Sequence, residues 1–209
     1  MSYEAEIRMN MTEEPKVFLI DREHLTFHDL QMVCNDITGM CYGEHVQVSM
    51  GFATGGHHFF KFVDSSNDLL HFGMINWTGN MTENRNIAHE IVYWVWEYIG
   101  NRLMNDMVRT INSGTMIEVG HVHINRVGVH FTDARYSGRE QQYTIAWHDA
   151  MGYAENGWLV IRSKTDGAIA TSMQLLNVIN AVVLHRIFHY LSSNPELCDI
   201  LRGFRPPLA

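Results

Sequence analysis

The chain has 209 residues and a mass of 24.1 kDa, with 46% hydrophobic and 18% charged residues. That composition excludes a disordered chain, and the length suits one large domain or two small ones. No apolar run approaches the ~20 residues of a membrane-spanning helix, and the acidic start Met1-Ser2-Tyr3-Glu4-Ala5-Glu6 is not a secretory signal, so a cytoplasmic protein without a transmembrane segment is expected.

The formal charge of −8 lies wholly in the first half. Residues 1–113 carry 7 Lys and Arg against 15 Asp and Glu, and residues 114–209 carry 8 of each. An acidic half repels phosphate, which disfavours nucleic acid and anionic lipid as partners. Cys34, Cys41 and Cys198 are odd in number and lack CxxC spacing. They read as reduced, mostly buried apolar residues.

In chain order, β-rich or alternating runs predict strands at 3–9, 16–20, 25–28, 37–42, 45–53, 57–63 and 69–75, with a polar turn at Asp64-Ser65-Ser66-Asn67-Asp68. Apolar residues at every fourth position, from Ile87 through Ile91, Val95, Ile99, Leu103 and Met107 to Ile111, predict a helix over 84–111. Strands follow at 116–124, 128–133, 142–147, 157–163 and 168–171, with Asn156-Gly157 as a hairpin signal. A second helix is predicted over 173–192, where Thr171 and Gln174 have capping-box spacing. A short helix at 195–202 is expected after Asn194-Pro195.

The chain resembles itself. VFLIDREHLTF at 17–27 aligns with HVHINRVGVHF at 121–131, pairing Ile20 with Ile124, Asp21 with Asn125, Arg22 with Arg126, Leu25 with Val129 and Phe27 with Phe131. An aspartate follows each copy, Asp36 and Asp149, and then a tyrosine–glycine pair; Asn35 stands where the second copy has its tryptophan. The equivalent placement of the two aspartates suggests that each fixes a turn. Two modules are therefore expected, 1–113 and 114–209, each with many short strands and a closing helix.

These residues resemble the pleckstrin-homology-like family in its bacterial form. The resemblance rests on Ile-[Asp/Asn]-Arg-x-x-[Leu/Val]-x-Phe, on Ile145, Trp147 and Asp149, and on the Gly-Trp-Leu-Val-Ile-Arg run after Asn156. It implies an α+β, mainly β fold of two tandem modules, each a curved antiparallel sheet or partly open barrel capped by a C-terminal helix. It also implies a binding module, for protein, peptide or lipid, and not an enzyme.

Residue chemistry leaves several readings open. Tyr93-Trp94-Val95-Trp96-Glu97-Tyr98 puts rings on nearly every side of a helix, so Tyr93, Trp94 and Trp96 are candidates for an interface with another subunit or protein. His121 and His123 share a strand face, and His130 sits on the next strand. Together they form a candidate metal site for a hydrolase, the alternative being surface histidines. His185 and His189 share a helix face, whereas His57 and His58 point to opposite faces of a strand. Arg126, Arg135 and Arg139 are a thin basic set for an anionic lipid headgroup. GxxxxGK[ST], GxGxxG and GxSxG motifs do not occur. No cofactor is expected.

Overall fold

The computed structural model describes residues 1–9, 14–49, 52–77, 81–133 and 140–194. In β1 (Tyr3–Ile7), β2 (Lys16–Ile20) and β3 (His24–Phe27), buried Ile7, Phe18, Ile20, Leu25 and Phe27 alternate with more exposed neighbours. With β4 (Leu30–Val33) they form a sheet of order β1-β2-β3-β4, antiparallel throughout. A 3-10 turn at Cys34–Asp36 ends that sheet. β5 (Ile37–Ser49), β6 (Phe52–Asp64) and β7 (Leu69–Trp77) make a second antiparallel sheet. Asp64 Oδ1 shapes the expected polar turn by accepting the N–H groups of Ser66 and Asp68 at 2.8 and 2.9 Å. The two sheets share one core. Phe72 of β7 lies 5.2 Å from Phe18 and 4.6 Å from Phe27 in the first sheet, and 4.9 Å from Phe60 beside it.

One continuous helix follows: α1 (Met81–Val95), a π turn (Trp96–Gly100) and α2 (Asn101–Asn112). Ile91, Val95, Ile99, Leu103, Met107 and Ile111 are all buried, as the four-residue spacing predicts. Arg102 donates to the carbonyls of Cys34 (3.0 Å) and Ile37, anchoring the helix to the turn between the sheets.

The second half repeats the order of elements. β8 (Ile117–Val119), β9 (Val122–Ile124), β10 (Gly128–Asp133) and β11 (Gln141–Ala146) form one antiparallel sheet. β12 (Ala150–Glu155), β13 (Trp158–Ser163) and β14 (Ala170–Gln174) form another. α3 (Ala181–Ser193) buries Val183, Leu184, Ile187, Phe188 and Leu191. The Phe188 ring covers Gly152 of β12, where an added Cβ would sit 2.4 Å from it.

Shared hydrogen bonds underlie the sequence repeat. Asp21 Oδ1 accepts the N–H groups of Glu23 and His24, both at 2.8 Å. Asn125 Oδ1 accepts those of Val127 and Gly128, at 2.8 and 3.3 Å. The Asp36 carbonyl accepts from Ser65 N–H, as the Asp149 carbonyl does from Lys164 N–H.

Several expectations need correction. The single curved sheet or partly open barrel per module, capped by its own C-terminal helix, is not what forms. The described strands divide among four separate antiparallel sheets, split at the Cys34–Asp36 turn and at the turn through Trp147–Asp149, and none closes into a barrel. Nor does each module have its own cap. The chain divides into compact units Met1–Leu103 and Met104–Ala209, and the division falls inside the first long helix.

The strand expected over 116–124 is the β8–β9 hairpin, turned at Gly120, which has φ +61°. Residues 173–180 are not helical. Met173 is a buried strand residue paired with Leu159, and α3 starts after Asn180 with no side-chain cap. The Trp147 position of the repeat is held by Cys34 and not Asn35. Cys34 Sγ points at the Asp21 carbonyl at 3.5 Å, and Trp147 Nε1–H donates to the Asn125 carbonyl at 2.8 Å. The short helix expected at 195–202, Cys198 included, lies outside the described residues.

Candidate functional site

Residues 94 and 98 share a helix face because they are four apart, and β1 brings Tyr3 up against that face. Trp94 stacks with Tyr98 (centroids 5.5 Å apart, 19° between planes) and with Tyr3 (6.3 Å, 21°). It also meets Tyr93 edge-on at 5.2 Å and 83°. Tyr98 Oη donates to the Met1 carbonyl at 2.6 Å, tying the start of the chain to the helix. Trp94 and Tyr98 remain half-buried, and Tyr93 is 60% exposed. The Tyr3 hydroxyl is held above its usual pKa, first by burial and then by the nearby Glu90 carboxylate. On the far side of Tyr3 a cavity of about 530 Å³ opens between β1 and the first turns of α1, lined in part by Glu4, Glu6, Arg8, Glu83 and Ile87.

The expected interface trio therefore divides. Tyr93 points outward and Trp94 forms the centre of the aromatic column. Trp96 turns onto its own unit, where its Nε1–H donates to the Tyr42 hydroxyl of β5 at 2.7 Å and its ring covers Gly100. Sequence reasoning missed Tyr3 and Glu90 as members of this cluster. Tyr3 is brought to Trp94 by tertiary packing, for which a local pattern carries no signal.

The three candidate metal histidines do not converge. His121 sits in the β8–β9 turn with Nε2 against Thr171 Oγ1 at 2.7 Å, so it is drawn to β14. His123 and His130 are cross-strand partners on β9 and β10. Both ring nitrogens of His130 are engaged, Nδ1 with Thr144 Oγ1 and Nε2 with Asn125 Oδ1, each at 2.9 Å. That leaves His130 no free nitrogen for a metal. Its pKa is lowered by burial and then by His123. His123 Nε2 lies 3.9 Å from Glu118 on an exposed sheet face. Among the described residues no group of three or more His, Cys, Asp or Glu is placed to hold a metal ion. On α3, His185 is half-buried and His189 exposed; burial lowers the His185 pKa.

Arg126 follows Asn125 at the start of the second Asx turn, while Arg135 and Arg139 lie outside the described residues. Cys34 and Cys41 are fully buried, which pushes their thiols up to about 12 and about 11. They are not thiolate nucleophiles at neutral pH. His57 and His58 do take opposite faces of β6. His57 stacks on Phe59 at 5.8 Å, and His58 is buried with Nε2 3.8 Å from Glu44 Oε1. No helix among the described residues is long and apolar enough to cross a membrane.

No family model, no curated protein and no solved structure matches this chain.

Proposed function

We propose that the chain is a non-enzymatic binding module that engages another protein through the seam between β1 and α1. The observation that carries this reading is the half-exposed column Tyr3–Trp94–Tyr98, with Tyr93 projecting beside it and the cavity of about 530 Å³ at its end. Rigid aromatic rings give large contact area at little entropic cost, which is why they anchor many protein interfaces. Of the histidines that suggested a metal-dependent hydrolase, His121 is turned to Thr171 and both ring nitrogens of His130 are hydrogen-bonded, and the buried thiols are not activated. Either a second copy of the chain or a different protein fits this reading.

The test is a photo-reactive phenylalanine analogue at Tyr93, with the same analogue at exposed Val127 as control. The expected result is a discrete cross-link from position 93 only, lost when Trp94→Ala is added. Its partner, identified by mass and remixed in pure form, should give a stoichiometric complex. Equal cross-linking from both positions, or none from 93, overturns the reading.

A further inference from the structure

We propose that the free edge of β1 takes up an extended, lysine- or arginine-rich segment of a partner protein as an added strand, lying between β1 and α1. The inference rests on the binding-module reading and names the partner's chemistry.

β1 is an edge strand. Among the described residues it pairs with β2 alone, in unbroken register from Tyr3↔Ile20 to Ile7↔Lys16, and the sheet order is β1-β2-β3-β4. An edge strand presents alternate N–H and C=O groups outward, and an extended peptide can satisfy them. Among the described residues the cavity of about 530 Å³ runs along the other side of β1, between Tyr3–Arg8 and the Glu83–Ile87 turn of α1, and β7 meets its far end, where Ile75 N–H donates to the Arg8 carbonyl at 3.4 Å. Its volume falls within the ~300–1,000 Å³ of typical ligand pockets.

The seam has an apolar floor and an acidic rim. Ile87 lines the cavity, and Tyr3 leads from it onto Trp94, which gives alternate side chains of an added strand an apolar surface. Glu4, Glu6 and Glu83 line the same space, and Glu90 lies near Tyr3. Arg8 is the one basic residue among the described residues lining the cavity and stands at one end of the strand. Opposite charges on neighbouring strands stabilise pairing, and like charges oppose it. Lysine or arginine facing Glu4 and Glu6 is therefore favoured. Pairing β1 with β1 of a second copy would set these glutamates against one another, so the geometry points away from self-association by this edge. An anionic membrane or nucleic acid is repelled for the same reason.

The experiment uses the full chain and three fluorescent peptides of about eight residues: a Lys-Val repeat, a Glu-Val repeat, and the Lys-Val repeat N-methylated at alternate positions. Anisotropy titrations should show the Lys-Val peptide binding at least about tenfold tighter than the Glu-Val peptide, with affinity falling as salt is added. N-methylation, which removes the strand-pairing N–H groups, should cost about tenfold or more. The double variant Glu4→Gln/Glu6→Gln, both exposed side chains, should bind several-fold more weakly while melting as the parent does; Glu83→Gln is the independent check from α1. Equal binding of the basic and acidic peptides, no binding of either, or tolerance of N-methylation overturns the proposal. If the Tyr93 cross-link survives such a result, strand addition has failed and the binding-module reading stands. If the cross-link is absent as well, both fall.

Discussion

Replacing His58 with leucine should stabilise the protein, and more so in acid. His58 is 7% exposed, and its Nε2 is buried without a hydrogen-bond partner. The groups facing it are Glu44 on β5, at 3.8 Å, and Arg85 and His89 on α1. Arg85 already holds the same Glu44 oxygen at 3.3 Å, so Glu44 keeps an ion pair when the imidazole is removed. An unsatisfied buried polar atom costs about 1–3 kcal/mol. Imperfect fit of leucine's branched end takes back about 1 kcal/mol. A net gain of about 1 kcal/mol is expected at pH 7.5.

Burial, ahead of the smaller repulsion from Arg85 and His89, lowers the His58 pKa, and Glu44 opposes that shift. The folded state thus takes up this proton at lower pH than the unfolded state does. Stability is fully present above the unfolded value of about 6.5, and it falls as pH drops from there towards the lowered folded value. Leucine has no such proton to take up. Urea unfolding of parent and His58→Leu at pH 7.5 and 5.5 should show the variant's advantage widening in acid, with the slopes due to the other histidines cancelling in the comparison. A variant less stable than the parent at both pH values, or an advantage that does not change with pH, refutes the argument.

Three further outcomes are expected. Cys34 and Cys41, buried and with thiols raised to about 12 and about 11, should resist iodoacetamide at pH 8 in the folded protein and react once it is unfolded, as read by mass. Trp147→Phe removes the donor to the Asn125 carbonyl and should cost about 1–3 kcal/mol in denaturant unfolding, because the ring is buried and no other side chain fills its place. Gly152→Ala sets a methyl 2.4 Å from the Phe188 ring; it should lower the melting temperature by an amount equivalent to about 1–3 kcal/mol, and Phe188→Leu should recover part of the loss.

Side chains that bond to their own neighbourhood were legible in the sequence. Asp21 and Asn125 mark the repeat because each folds back on the N–H groups two and three residues on, a bond that needs only local spacing. Asp149 also fixes a turn, accepting from Ser163 Oγ at 2.5 Å and from Thr165 N–H at 2.9 Å, bonds that hold its carboxyl below the usual range. Elements without such a marker were lost. β4 and β12 have only one buried position each, Met32 and Ala150, and so show no alternation to read. The capping-box spacing at Thr171 and Gln174 misled because Thr171 and Met173 are buried on β14, and strand pairing there overrode the local helix signal. The histidines misled for the opposite reason. Their spacing on the strands was right for His123 and His130, but the Gly120 turn carries His121 to another sheet.

The first long helix shows how one spacing sets both the core and the candidate surface. In an α-helix each four-residue step over-rotates by about 40°. Within the first unit, three such steps from Ile91 to Leu103 would carry the buried stripe about 120° round, yet Ile91, Val95, Ile99 and Leu103 are all buried. A π turn holds more residues per turn and so takes rotation back. It falls at Trp96–Gly100, inside the series, and the Trp96 ring lies against Gly100. A Cβ there would sit 2.4 Å from that ring, so glycine is what lets Trp96 fold down to Tyr42. With Trp96 drawn inward, Trp94 and Tyr98 are left on the β1 side to stack with Tyr3. Trp94 and Trp96, two residues apart, already point about 200° away from each other on a helix, so Trp96 meets Tyr42 and Trp94 is left on the seam.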